Sequence, residues 1–357
     1  MKAKIIAAAA VGTGILVALY LRRRKKALTL PITLTDAKGD EVTIRVAVAA
    51  DRDQVASSIA DHTGTGSGNG GDDFLIQEFD RMVGDPGLTL MFVDDANGKG
   101  LGMMAVAWSS PTESYWQSLR IATAARGRGV AKLLFQTAAR LAVERQGDKS
   151  ISRWGIVSNN TIMIDWSNRL KLHGPQAFRR HGAKPSDEPP PLPEGYTLRA
   201  LTPSDDLKGI MKTLETFPVA QSEYGTQNFV VAGWADFSES LLKAGVAGET
   251  SRGIPMPAPR ALYNADGKLV AFAALSVLRF GENKWMMHRY ADGPELEILL
   301  HCMPHLAKEV GAEAGCGGYV PCLPSVLEIF EKSKVFARMT ETEQHEFHWT
   351  NKDYVNV

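Results

Sequence analysis

The stretch Trp116-Gln-Ser-Leu-Arg-Ile-Ala-Thr-Ala-Ala-Arg126-Gly-Arg-Gly129-Val-Ala131-Lys-Leu-Leu-Phe135 changes character twice. It opens as an extended segment, narrows to two glycines set between arginines, and closes with apolar residues at helical spacing. A strand, a tight turn and a helix follow from that order. Gly127 and Gly129 remove side chains where a backbone must approach a ligand or take a left-handed conformation. The first turn of the helix has N–H groups without acceptors of its own and carries the positive end of the helix dipole. Together these make a cradle for a pyrophosphate, and Arg126, Arg128 and Lys132 add charge around it.

Outward from this stretch, residues 42–48 alternate as a strand and Asp51 is placed to cap a helix running to about Ile59. A glycine-rich run over 62–71 follows, then helical spacing over 74–83. A hairpin is expected from 88–93 and 101–108, with its turn at Asp94-Asp-Ala-Asn-Gly98, and a strand over 115–121. After the glycine turn come a helix at 130–143, a strand at 151–157 and a helix at 162–172. The proline-rich run at 184–193 is a stiff linker and the clearest boundary. Beyond it the rhythm restarts: a strand from Tyr196, a hairpin about Asn264-Ala-Asp-Gly267, a strand over 284–290, a helix at 294–310, a strand at 318–322 and a helix at 324–332. The order predicts a diverged internal repeat, with domains over 40–184 and 194–357 joined by the linker at 185–193. Two other phosphate loops fail on context. Gly66-x-Gly68-x-x-Gly71 lies after a helix and beside Asp72-Asp73, which would repel a pyrophosphate, and no Walker-type run occurs.

The spacing Arg126-x-x-Gly129-x-Ala131, directly after a strand and opening a helix, resembles the acyl-CoA-binding motif of the GNAT acetyltransferase superfamily. The likeness extends over roughly residues 40–184. It implies a mixed α/β (α+β) fold with two tandem acyl-CoA N-acyltransferase-type domains, the second degenerate, and acetyl-CoA as co-substrate for transfer to a small-molecule amine, a free amino acid among the options. Backbone groups of Leu119, Ile121 and Thr123 would then face the pantetheine and thioester. The amides of Arg126, Gly127, Arg128, Gly129, Val130 and Ala131 would hold the pyrophosphate. Asn160, or its neighbour Asn159, occupies a position that touches cofactor in such proteins, although a helix cap is its other role. Glu113 is the carboxylate best placed to take a proton from the amine, unless it is a surface group at a strand end. The family's tyrosine acid is absent from the helix at 162–172, where Ser167 stands near its position.

The second half offers Tyr290-Ala-Asp-Gly-Pro-Glu-Leu296 in place of a glycine cradle, and Asp292 and Glu295 oppose a diphosphate. An active first domain followed by a degenerate second resembles the vertebrate-type histidine N-acetyltransferase family. Two other readings stand beside transfer to a small amine: an inactive acyl-CoA-binding or scaffolding protein, and an acetyltransferase acting on protein N-termini or lysines.

Composition sets the remaining bounds. The 357 residues carry 40 basic and 40 acidic side chains, so no global field draws the chain to nucleic acid. Cys302, Cys316 and Cys322 are too few and too spread for a disulfide framework or a zinc pair, and no metal site is expected. His301 and His305 share a helical spacing, but Pro304 lies between them and no third ligand follows. Trp108, Trp116 and Trp166 suit a core better than a substrate platform. Residues 5–21 hold no charge and would span ~25 Å as a helix. Arg22-Arg-Arg-Lys-Lys26 follows, which predicts a single-pass membrane anchor over 1–26 with the catalytic domains on the cytoplasmic side. An organelle-targeting segment removed by cleavage is the alternative.

Overall fold

The computed structural model describes residues 28–60, 73–189, 192–225, 227–230, 233–236, 239–248, 250–251, 254–280, 283–333, 335–339 and 343–355. The anchor expected at 1–26 and the glycine-rich loop at 62–71 lie outside the described residues. Among the described residues no helix is long and apolar enough to cross a membrane.

The first half runs β1 (Ile32–Thr35), β2 (Glu41–Val46), an irregular helical stretch over 49–59, α1 (Phe74–Gly84), β3 (Leu88–Asp95), β4 (Gly100–Ala107), β5 (Glu113–Ile121), α2 (Val130–Gln146), β6 (Ile151–Val157), α3 (Thr161–Arg169) and β7 (His173–Ala183). The second half follows with β8 (Thr197–Ala200), α4 (Leu207–Leu214), α5 (Glu239–Val246), β9 (Arg260–Tyr263), β10 (Leu269–Phe280), β11 (Asn283–Asp292), α6 (Leu296–Glu309), β12 (Gly315–Pro321), α7 (Pro324–Lys332), β13 (Ala337–Arg338) and β14 (Gln344–Thr350). A short hairpin of Gln227–Val230 and Gly233–Asp236 sits between α4 and α5 and packs against β5 of the first half and β11 and β12 of the second. The expected elements are present in the expected order. Several elements among the described residues were not anticipated, namely the strands β1, β7, β13 and β14, the helices α4 and α5 and the short hairpin; α6, expected over 294–310, runs through Pro304.

All the main strands belong to one 14-stranded sheet, ordered β1-β2-β3-β4-β5-β6-β14-β7-β12-β11-β10-β9-β8, with β13 on β7. The middle of that order is an exchange. The last strand of the chain, β14, pairs antiparallel with β6 of the first half over Gln344↔Val157 to Thr350↔Ile151. The last strand of the first half, β7, pairs antiparallel with β12 of the second over Cys316↔Ala183 to Pro321↔Phe178. The linker at 185–193 is therefore a boundary in the sequence but not between closed sheets.

The exchange is welded by buried groups. Arg153 on β6 is 3 % exposed and donates to Glu113 on β5 at 3.2 Å and to Glu346 on β14 at 3.1 Å. Asn351, fully buried, donates to Ser150 and accepts from the Ser152 hydroxyl. Trp349 packs edge-on to Trp116 at 4.7 Å and beside Trp154 at 5.0 Å, and Phe135 of α2 completes the cluster. Each such ring contributes on the order of 2 kcal/mol by burial, so the end of the chain is part of the first core. Trp116 and Trp166 accordingly pack in or against the core, as their sequence setting suggests.

Candidate functional site

The site is set by where β5 and β6 stop pairing. They run parallel and pair at three positions, Glu113↔Ile151, Ser114↔Ser152 and Tyr115↔Arg153. Beyond Tyr115 the strands part, leaving a slot with β5 on one wall and β6 on the other. A strand edge freed in this way offers its amides and carbonyls to an extended ligand. Opposite the slot, the pairing of β4 with β5 shifts register between Met103 and Ala105, and Ser118 takes a left-handed φ of 58°. That bulge re-aims the backbone from Leu119 onward. A non-glycine residue held in that conformation costs about 1–3 kcal/mol and persists only where its surroundings impose it.

At the mouth of the slot the chain turns through Thr123–Ala125 into the glycine loop. Gly127 and Gly129 both lie at φ 78°, the left-handed region, and Gly129 caps α2. Around Gly127 a Cβ would meet nothing within 4 Å, whereas at Gly129 it would lie 3.3 Å from Ala37. The amides of Gly127, Gly129, Val130 and Ala131 have no hydrogen-bond acceptor among the described residues. Four such donors, at the positive end of a 17-residue helix, are a cradle for a phosphate oxygen. Arg126 and Lys132 stand exposed beside it with no acidic partner among the described residues.

Arg128 has a different role from the one expected. Its guanidinium donates to Asp36 at 2.6 Å and Asp40 at 3.0 Å, its amide to the Ala125 carbonyl, and its own carbonyl accepts from Ala37 N. The Arg126 amide is likewise held by Thr123. Burial acts to raise the Asp36 carboxyl, but the Arg128 hydrogen bond and the amides of Lys38 and Asp40 bring it below the usual range. The turn between β1 and β2 is thus a brace that holds the cradle open from behind. Its signal in the sequence is the alternating Ile32-Thr-Leu-Thr35 before Asp36-Ala-Lys-Gly-Asp40, a hairpin pattern.

The remaining candidates divide. Leu119 and Ile121 lie on β5 past the parting of the strands, and Thr123 lies at the exposed turn. The Leu119 carbonyl already accepts from the Arg120 guanidinium at 3.0 Å, and Arg120 is anchored on Asp73, the cap of α1, at 2.6 Å. Asn160 caps α3, its side chain accepting from Met163 N at 3.2 Å, while Asn159 is exposed.

Both proposed catalytic groups need correction. Glu113 is neither a surface carboxylate nor a free base. It is 6 % exposed, paired with Arg153, and sits at the closed end of the slot, where the strands still pair. Ser167 is fully buried and donates to the Met163 carbonyl of its own helix at 2.8 Å, so its hydroxyl is not turned to the slot. The group that sequence reasoning missed is Tyr115. It is the last paired residue of β5, and its hydroxyl lies 3.2 Å from the amide of Gly155, on the opposite wall and past the last pair. Only the strand parting reveals that position, because Tyr115 is otherwise one aromatic residue in a strand. Of the two histidines singled out on α6, the His301 ring contacts the Glu297 carbonyl and His305 faces Glu309 at 3.7 Å.

This geometry was compared with known proteins. The profile of the acetyltransferase (GNAT) family matches residues 60–170. A search of curated proteins found no match. Among solved structures, a GCN5-related N-acetyltransferase from Sphaerobacter thermophilus is 13 % identical, with 87 % of this chain and 96 % of that one covered and a TM-score of 0.57. A GCN5-related glucosamine N-acetyltransferase region of a fungal multi-domain β-N-acetylglucosaminidase is 11 % identical, covering 92 % of this chain and 39 % of that one at 0.54. A tandem GNAT protein from the clavulanic acid pathway is 12 % identical, covering 87 % and 98 % at 0.49. At such identities the first two likenesses speak for the fold, and they take in both halves. The fold, the parted strands and the matched profile agree that residues 60–170 form an acetyltransferase domain of the GNAT family.

Proposed function

We propose that the chain transfers an acetyl group from acetyl-CoA to the amine of a small molecule, in the slot between β5 and β6. The observation that carries this reading is the set of four unclaimed amides, of Gly127, Gly129, Val130 and Ala131, at the mouth of a slot whose wall is a free strand edge. The cradle suits the diphosphate of a coenzyme A, with Arg126 and Lys132 adding charge from outside. The edge of β5 at Leu119, Ile121 and Thr123 suits the amide-bearing pantetheine arm. Acetyl-CoA, when bound, supplies a thioester carbonyl open to attack by a neutral amine.

The chain's own residues orient this attack and manage one proton. With Glu113 committed to Arg153, the amine loses its proton to water, and the Tyr115 hydroxyl at the floor of the slot is the donor for the departing sulfur. Asn160, beyond capping α3, lies at the end of β6 where it can reach the same arm. A small acceptor is favoured over a protein one because the hairpin Gln227–Val230/Gly233–Asp236 of the second half lies over β5. The resemblance to histidine N-acetyltransferases makes free amino acids the first acceptors to try. Residues 1–26 are proposed to hold the enzyme on a membrane, which resistance to alkaline extraction would test.

Calorimetric titration with acetyl-CoA, followed by an acceptor screen of free amino acids, polyamines and peptides, tests the whole reading. Saturable binding and turnover on a small amine are expected. No heat at about millimolar cofactor overturns it, since that implies an affinity weaker than ~4 kcal/mol. Binding without turnover on any acceptor returns the chain to the inactive binding-protein reading.

A further inference from the structure

The seam between the two halves also brings a side chain to the first slot. Gln344 is the first residue of β14, where the end of the chain enters between β6 and β7. It pairs with Val157 on one side and Phe178 on the other. It is 9 % exposed, and its side-chain amide has no hydrogen-bond partner among the described residues. An amide buried in this way has given up water without recovering a partner, which is uncommon in folded proteins and calls for a reason.

Its position supplies one. A Cβ built on Gly155 would collide with Gln344 Nε2 and would lie 3.0 Å from the Tyr115 hydroxyl. Gly155 stands on β6 just past the last parallel pair, so the two polar ends converge on the floor of the slot, one from β5 and one from β14. Only a glycine on β6 leaves them that room. The nearer end of the Gln344 amide is its nitrogen, which has two N–H groups to donate. The neighbouring charges are already engaged, because Glu113 and Glu346 both hold Arg153. A carboxylate at 344 would add a like charge two residues from Glu346, on the same face of the strand, whereas the neutral amide donates without adding charge.

We propose that Gln344 donates from Nε2 to the carbonyl oxygen of the acetyl thioester, while Tyr115 serves its sulfur. The proposal rests on acetyl transfer taking place in the slot between β5 and β6. A thioester carries its oxygen and its sulfur on one carbon, so two donors that converge on one point match the two atoms. As the amine nitrogen bonds to that carbon, the carbonyl π pair moves onto oxygen, and it returns when the C–S bond breaks. A donor fixed in place beforehand stabilises the charge on oxygen at no cost in reorganisation. The last strand of the chain thereby completes the site of the first half.

The test follows acetyl-CoA isotopically labelled at the carbonyl carbon, bound to the full chain and observed by NMR, with calorimetry on the same samples. In the wild type the carbonyl resonance is expected downfield of its position in free acetyl-CoA, as polarisation toward oxygen requires. Gln344→Leu and Gln344→Glu should return it toward the free position. Their acetyl-CoA affinity should stay within about threefold of the wild type, while kcat for amine transfer falls on the order of 10²-fold. If Gln344→Leu does not fold, Gln344→Glu, close to glutamine in shape, makes the same comparison. A bound carbonyl at the free position in the wild type, or one equally displaced in wild type and variants, overturns the role of Gln344. No heat of binding in the wild type is a different failure, that of the cofactor reading, and it removes the proposal with it.

Discussion

The two slots of this molecule share a frame and differ in what closes them. In the first, the residues just past the last parallel pair are Trp116 and Trp154, whose rings stand 6.4 Å apart and belong to the aromatic core. In the second, between β11 and β12, which pair in parallel from Trp285↔Gly315 to Met287↔Gly317, the corresponding places hold His288 and Gly318. The mouth differs in the opposite sense. The first opens on glycines and unclaimed amides, the second on Asp292 and its ring of satisfied donors. One slot has a firm floor and an open anion site, the other a hollow floor and a closed mouth. The parting of the strands is thus a property of the topology, and a few side chains decide what fills each slot.

The comparison presumes that both slots sit in one continuous sheet, and its seam is the largest target. Glu346→Ala strips a carboxylate from Arg153 and leaves a buried guanidinium short of a partner, at an expected cost of about 3–5 kcal/mol. Urea unfolding should show that loss, and a change below about 1 kcal/mol would mean the exchanged strand is not held through this pair.

Acid should act on the second slot first. The folded pKa of His288 lies below its ordinary value, so between about 4 and 6.5 the unfolded chain takes the proton more readily. Stability is full above pH 6.5 and declines as the pH falls toward 4, by up to roughly 3 kcal/mol if His288 acts alone. His181 is shifted in the same direction, by burial. His288→Gln should flatten this slope in a series of unfolding curves, and an equal slope in the variant would assign it elsewhere.

In the first slot, Gly129→Val forces a branched residue into φ 78° and brings a Cβ within 3.3 Å of Ala37. Acetyl-CoA affinity should fall on the order of 10²-fold by calorimetry. Tyr115→Phe is expected to lower kcat on the order of tenfold with little change in acetyl-CoA affinity. A change in affinity without one in kcat would make Tyr115 part of the wall instead. Arg128→Ala, which loosens the brace from Asp36 and leaves the amides in place, should weaken acetyl-CoA only a few-fold. A loss as large as that of Gly129→Val would return Arg128 to the cradle itself.

Much of this was legible along the chain. The glycine turn and the alternation of strands are local patterns, written in residues close in sequence, and those elements were read in the right order. The turn from Arg126 to Ala131 could be read as the opening of α2 because a helix start depends on its own first turn. The roles of Glu113 and Ser167 could not be read this way. Glu113 became a structural anion because Arg153, 40 residues on, pairs with it in the sheet while also holding Glu346 from the far end of the chain. Ser167 turned inward because its helix face is buried.

By itself, then, the sequence determined many of the elements and the glycine turn that opens α2, since each depends on backbone conformation within a few residues. The exchange of β7 and β14, the brace from Asp36, the Tyr115 hydroxyl at the floor and the hollow beside His288 were decided only in three dimensions. Strand pairing is a contest among all edges in the molecule. Which edge wins depends on burial and on partners that lie tens to hundreds of residues away.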